Sequence, residues 1–162
     1  MGELEFIVGI IGSFAAVVAA IFSFILWRIR RNEDLSRLIA LFVHLKFIEE
    51  SAKGHESHVK NHSLNQNFPL PSWPIANMDL NFYLTHINHK IRKKDSFFCY
   101  ETTKYLKQDL IKVHEKIKNI NFLWQQTLER QIPNDLHTNT YYLDLYTLIN
   151  NCQRGILRIL KK

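Results

Sequence analysis

The longest apolar segment of the chain lies close to its N-terminus. Residues Phe6 to Trp27 form a run of 22 residues without a charged side chain, and Arg28, Arg30 and Arg31 close it. A helix of that length is roughly 33 Å long, enough for the hydrocarbon core of a bilayer. The run therefore predicts one transmembrane helix.

The charges at the two ends of this run predict its orientation. Glu3 and Glu5 precede it, and arginines follow it. The positive-inside rule then places the N-terminus outside and the rest of the chain in the cytoplasm. A cleaved secretory signal is the alternative, but the small residues lie in the middle of the run and aromatic residues end it, whereas a signal peptide ends in small residues. We expect the segment to be retained as a single span.

One side of the predicted span is small and weakly polar. Lipid gives helices no hydrophobic reason to associate, so close packing across small residues drives their assembly. Three interpretations stay open: a tight dimer contact, a larger ring of helices around an aqueous path, and a plain anchor. Glu5 at one end, and Arg30 and Arg31 at the other, project onto the same side and would form the mouths of such a path. At about 100° per residue, the small side chains share an arc of roughly 100°: Gly9, Gly12, Ser13, Ala16, Ala20 and Ser23.

Beyond the arginines, apolar residues recur every three or four positions, which predicts helices. A first helix is expected to begin at Asn32, a good N-cap, or to continue the span, and to end near Lys53 and Gly54. Residues 55–76 lose the period and collect Asn, Ser, His and three prolines, which predicts a loop. Further helices are expected over 77–93, over 95–132 and from 141 to the end of the chain.

The predicted fold class is all-α: a transmembrane segment over residues 1–31 and a cytosolic four-helix bundle over 32–162. No segment alternates as a strand, and five glycines and four prolines leave little room for sheet turns. The most regular helix, 95–132, has an almost heptad-like pattern. Its predicted core positions are Leu106, Leu110, Val113, Ile117, Ile120, Trp124 and Leu128.

The charge of the chain favours an anionic partner. The net charge is +6, and residues 32–162 carry eighteen Lys and Arg, thirteen acidic residues and all eight histidines. Such a surface suits lipid headgroups or nucleic acid without choosing between them. Cys99 and Cys152 are expected to be reduced on the cytoplasmic side, and neither has metal-ligand spacing.

Few residues suggest chemistry. Phosphate-binding glycine loops, nucleophile elbows and zinc-protease helices are absent from the sequence, so no cofactor is expected. His55, His58 and His62 would share one helical face and suit zinc, but the segment is loop-like and has no nearby cysteine, so a solvated loop is favoured and no metal is expected. One predicted helix ends in four basic residues, Lys90, Arg92, Lys93 and Lys94. They are candidates for contact with phosphate groups or nucleic acid. Alternatively, they lie there only because cations are favoured at a helix C-terminus.

Arg130 and His137 form the third candidate site, with six residues between them. Arginine stabilises a phosphate anion and histidine transfers protons, the pairing that metal-independent RNA cleavage requires. A short membrane helix, a basic all-helical domain and an Arg-x6-His element together resemble the small membrane-anchored HEPN-like accessory proteins of type VI-B CRISPR systems. The resemblance implies a HEPN-like bundle in the bacterial inner membrane and a homo-oligomeric pore. It further implies that the pore depolarises this membrane and reinforces the antiphage defence of an RNA-guided nuclease.

The sequence also departs from the HEPN ribonuclease motif. Pro133 interrupts the gap between Arg130 and His137, and the other pair with the same spacing, Arg37 and His44, lies in an apolar helix. We expect a degenerate motif rather than an active enzyme. Two classes of function follow: an oligomeric pore-forming effector, or a membrane-tethered helical adaptor or HEPN-type ribonuclease that binds RNA with its basic bundle.

Overall fold

The computed structural model describes residues 2–64, 73–76, 80–92, 98, 100–130 and 140–161, with the side chains of residues 2–15, 63 and 130 excepted. Its elements are four α-helices: α1 (Gly2–Leu64), α2 (Asn81–Arg92), α3 (Tyr100–Arg130) and α4 (Thr140–Leu160). Within these described ranges there is no strand. The prediction of an all-α chain is confirmed.

The chain divides into two compact units, Met1–Arg37 and Leu38–Lys162. In the C-terminal unit, buried positions recur at alternating steps of three and four on three helices, a spacing that keeps one face of each helix toward the others. The predicted core positions of α3 are confirmed except for Leu128, which is 43% exposed. The buried sets are Leu38, Leu41, Leu45, Ile48, Ala52, His55 and Val59 on α1; Thr103, Leu106, Leu110, Val113, Ile117, Ile120 and Trp124 on α3; and Tyr142, Leu145, Ile149, Cys152, Ile156 and Ile159 on α4.

α1 is longer than the sequence predicted. The helix runs through Asn32, which is therefore not an N-cap, and this confirms the alternative in which the first helix continues the apolar run. It also runs through Gly54, which is therefore not a stop. Gly54 is exposed, and a Cβ atom there would meet nothing within 4 Å. A glycine inside a helix costs about 1 kcal/mol relative to alanine, which the burial of His55 and Val59 just beyond it offsets. The predicted loop over 55–76 is therefore wrong as far as residue 64.

The short segment 73–76 is fixed between two helices by hydrogen bonds. The Ile75 N–H donates to Oδ1 of Asn121 on α3 (2.8 Å), and Nδ2 of Asn121 donates to the Ile75 carbonyl (3.0 Å). The Ala76 N–H donates to Oγ of Ser51 on α1 (3.0 Å). These bonds satisfy backbone groups around Ile75, whose side chain is fully buried.

The apolar run that begins at Phe6 is helical, and the part of it with described side chains begins at Ala16. Among the residues whose side chains are described, no helical stretch is both long enough and apolar enough to cross a bilayer.

Candidate functional site

The described side chains of the N-terminal unit leave a largely bare apolar helix. Eight large apolar residues between Val17 and Ile29 are each 46–62% exposed. Ala16, Ala20 and Ser23, from the predicted small face, are also exposed. The side chains of the other members of that face, Gly9, Gly12 and Ser13, and of the predicted mouth residue Glu5, lie outside the described residues.

The arginine end of this helix has an ordered aromatic contact. The rings of Phe24 and Trp27 have centroids 5.8 Å apart, and the guanidinium carbon of Arg31 lies 5.3 Å from the Trp27 ring centroid. Arg31 is half-buried, while Arg28 and Arg30 are exposed. Of the two arginines predicted at a pore mouth, Arg31 therefore lies against an aromatic ring, and Arg30 is exposed. The charge pattern alone did not predict this difference.

The structure does not test the ribonuclease pair. Arg130 is the last residue of α3, its side chain is not described, and His137 lies outside the described residues. His44, from the second pair with the same spacing, is half-buried, and its Nδ1 shares a 2.6 Å hydrogen bond with the hydroxyl of Tyr83. Its ring also packs edge-on against the Tyr83 ring. His44 is thus a packed residue between α1 and α2.

The predicted basic contact lies at the C-terminal end of α2. Lys90 is half-buried, and its Nζ lies 5.6 Å above the ring of Phe98. Arg92 is exposed, and Lys93 and Lys94 lie outside the described residues. Cations in the last turn favour the helix dipole, so the placement of Lys90 and Arg92 suits the helix whether or not a ligand binds.

His55 is a core residue, contrary to the loop predicted for it. It is fully buried, its Nδ1 shares a 2.7 Å hydrogen bond with the hydroxyl of Tyr142 on α4, and its ring lies edge-on against Trp124 of α3. Its Nε2 is buried and has no hydrogen-bond partner among the described residues. Burial, and then the nearby His58, lower the pKa of His55 from 6.5 to about 4, so the ring is neutral at neutral pH.

The three histidines considered for zinc do not form a ligand set. His58 packs edge-on against Trp73 with ring centroids 4.9 Å apart, while His55 lies in the core and His62 is half-buried near the end of α1. Within the described ranges, no group of three His, Cys, Asp or Glu side chains is arranged to hold a metal ion.

Polar side chains of α1 and α4 make a contact that the sequence pattern did not predict. The Tyr146 hydroxyl donates to Glu56 (2.7 Å), and Gln153 donates to Glu49 (3.4 Å). Hydrogen bonds from Lys46 and Lys53 lower the pKa of Glu49 from 4.5 to about 2. Burial and Glu56 raise the pKa of Tyr146 well above its usual value. The spacing of each acid from a lysine three or four positions away was visible in the sequence, but its partner on α4 was not.

An open cleft of about 360 Å³ lies between α3 and α4. Nζ of Lys116 lies 2.8 Å from Oδ2 of Asp144 there and 5.2 Å above the Tyr141 ring. Lys112 and Glu115 also line it. Because positive and negative side chains alternate in this cleft, it lacks the excess of positive charge that binds phosphate groups.

The chain matches no family model, no curated protein and no solved structure.

Proposed function

We propose that this chain is a single-span membrane effector that assembles with copies of itself into a pore and depolarises the bacterial inner membrane. In this arrangement the N-terminus is outside, and the C-terminal unit is a cytosolic HEPN-like four-helix bundle. The observation that carries the proposal is the bare apolar helix of the N-terminal unit, together with the small residues on one of its sides.

The exposed apolar side chains favour a non-aqueous environment. Fully burying a large apolar side chain contributes about 1.5–3 kcal/mol, so eight side chains that are about half exposed leave roughly 6–12 kcal/mol unrealised in water. A helix that is apolar all round is stable when lipid or other helices surround it. A bilayer supplies that environment for Phe22, Ile25 and Ile29.

The small face supports assembly. Ala16, Ala20 and Ser23 are spaced by four and three, so they follow one side of the helix and allow a second backbone to come close. One helix encloses nothing, so a pore made from single spans requires several copies. The proposed homo-oligomer therefore follows from the pore and the small face together.

The antiphage role depends on the resemblance to the membrane-anchored accessory proteins of type VI-B CRISPR systems. Under that proposal the functional partner is an RNA-guided nuclease, and membrane lipid is the second partner. The packing of His44 against Tyr83 gives one of the two candidate Arg and His pairs a structural role, and this supports the effector over the enzyme.

The experiment compares substitutions on two sides of the helix that are about 100° apart. The double variant Ala16→Leu with Ala20→Leu fills the small face with two large side chains. The matched control is Val17→Leu with Ile21→Leu, which changes two side chains that are already large. Membrane potential is measured with a voltage-sensitive dye in cells that produce equal amounts of each full-length variant. The proposal predicts depolarisation by the wild type and the control, and its loss in the small-face variant.

Two results would contradict the proposal. If the wild type inserts into the membrane without depolarising it, the chain is not a pore-forming effector, and RNA binding by the bundle becomes the function to test. If the small-face variant depolarises as strongly as its control, the small face does not hold the copies together.

A further inference from the structure

Trp27 is the one large apolar residue in the small arc between Gly9 and Arg31. It comes seven residues after Ala20, which places the two side chains about 20° apart in helical projection. Arg31 lies about 20° to the other side of Ala20 by the same rule. The small face therefore ends in a large aromatic ring followed by a cation.

The Trp27 ring is held in place but remains accessible. Phe24 contacts it with a centroid distance of 5.8 Å, and the Arg31 guanidinium lies 5.3 Å from its centroid. Even so, 52% of Trp27 is exposed. A guanidinium above an indole is a favourable cation–π arrangement, so the contact keeps the charge of Arg31 beside the ring.

We propose that Trp27 forms the narrowest point of the pore, and that Arg31, held on its ring, makes this constriction selective for small inorganic anions such as chloride over potassium. This inference depends on the proposed function and names the permeating ion and the residues that select it. In a ring of helices whose small faces meet one another around the central axis, every copy contributes one indole at the same depth. Apolar constrictions restrict flow by excluding water, and a ring of positive charge favours anions.

The side on which Trp27 lies separates this role from that of a lipid anchor. Tryptophan is common at membrane interfaces, where its ring contacts lipid headgroups. Such a ring belongs on the side of the helix that faces lipid, where Phe22 lies about 160° from Ala20. Trp27 instead shares the side of Ala20 and Ser23, which the proposed assembly turns away from lipid.

The test measures chloride and potassium release from vesicles that contain equal amounts of each full-length protein. Trp27→Ala should raise total flux by about threefold or more, because the constriction is widened. Phe22→Ala is the matched control for an exposed aromatic residue, and it should leave the flux within a factor of about two of the wild type. Arg31→Gln keeps the indole and should lower the ratio of chloride to potassium flux by about threefold or more.

A second variant tests the same position by chemical block. Trp27→Cys, in a chain with Cys99→Ser, should lose most of its chloride flux on reaction with a negatively charged thiosulfonate reagent, whereas Phe22→Cys in the same background should not. Cys152 is buried and does not interfere.

The outcomes separate this inference from the proposed function. If wild-type vesicles release ions no faster than vesicles without protein, the proposed function fails, and this inference fails with it. If the wild type conducts but Trp27→Ala behaves like Phe22→Ala, or the Trp27→Cys chain is not blocked, the constriction is elsewhere and the pore stands. An unchanged ion ratio in Arg31→Gln would overturn the anion selectivity.

Discussion

Acid should destabilise the C-terminal unit through His55, the fully buried histidine bonded to Tyr142. The folded state holds the pKa of His55 at about 4, below its ordinary value of 6.5. Between these two values the unfolded chain binds the proton and the folded chain does not. The stabilising contribution is therefore complete above about pH 6.5 and is lost as the pH falls toward 4.

The magnitude follows from the two pKa values. From about pH 7.5 to about pH 5, the difference in proton binding lowers the free energy of unfolding by about 2 kcal/mol. Replacement by glutamine removes the titrating group but keeps an amide that can bond to the Tyr142 hydroxyl. The His55→Gln variant should be less sensitive to acid than the wild type by that same amount.

The assay is guanidinium unfolding of the full chain in detergent, followed by circular dichroism at both pH values. The exposed His89, replaced by glutamine, is the matched control and should keep the full wild-type loss. Equal losses of stability in the His55→Gln chain and the wild type would refute the argument. They would show that the folded state binds a proton on His55 over the same pH range as the unfolded chain does.

Three further predictions concern the same unit. Gly54→Ala should raise the free energy of unfolding by about 0.5–1 kcal/mol in denaturant titrations, because the site is helical, exposed and open; a decrease would mean that the helix ends there. Asn121→Ala should lower the free energy of unfolding by about 1–3 kcal/mol, because it leaves a buried peptide group unpaired. The matched control, Asn119→Ala at an exposed position, should change this free energy by less than about 0.5 kcal/mol. Equal effects of the two substitutions would contradict the role of the Asn121 amide. Because burial raises the pKa of the Cys152 thiol, Cys99→Ser protein should react with a thiol reagent at the rate of global unfolding; rapid reaction in the folded state would refute the burial.

The sequence predicted the helical core because apolar residues repeat with the period of a helix. Leu106, Leu110 and Ile117 are fixed by that period alone, and all are buried. The end of α1 was not predictable in the same way. Beyond Gly54, the buried face of the helix consists of His55 and Val59, and their neighbours are polar. The sequence therefore shows no clear helical repeat of apolar residues there.

The buried polar contacts depend on partners that are distant in sequence. His55 is stable in the core because Tyr142 and Trp124 surround it, and these residues belong to other helices. Glu56 likewise meets Tyr146, 90 positions away. Single-chain periodicity shows which residues share a helix face, but not which polar side chains meet across two helices.

The central claim is that the small side of the N-terminal helix faces other copies of the chain. Disulfide cross-linking in native membranes tests it most directly, since a bond forms only when two Cβ atoms come within about 4.5 Å. With Cys99→Ser as background, Ala20→Cys should give a covalent dimer on mild oxidation, and Phe22→Cys on the opposite side should remain monomeric. A dimer from Phe22→Cys and none from Ala20→Cys would contradict the account, because the small side would then face lipid.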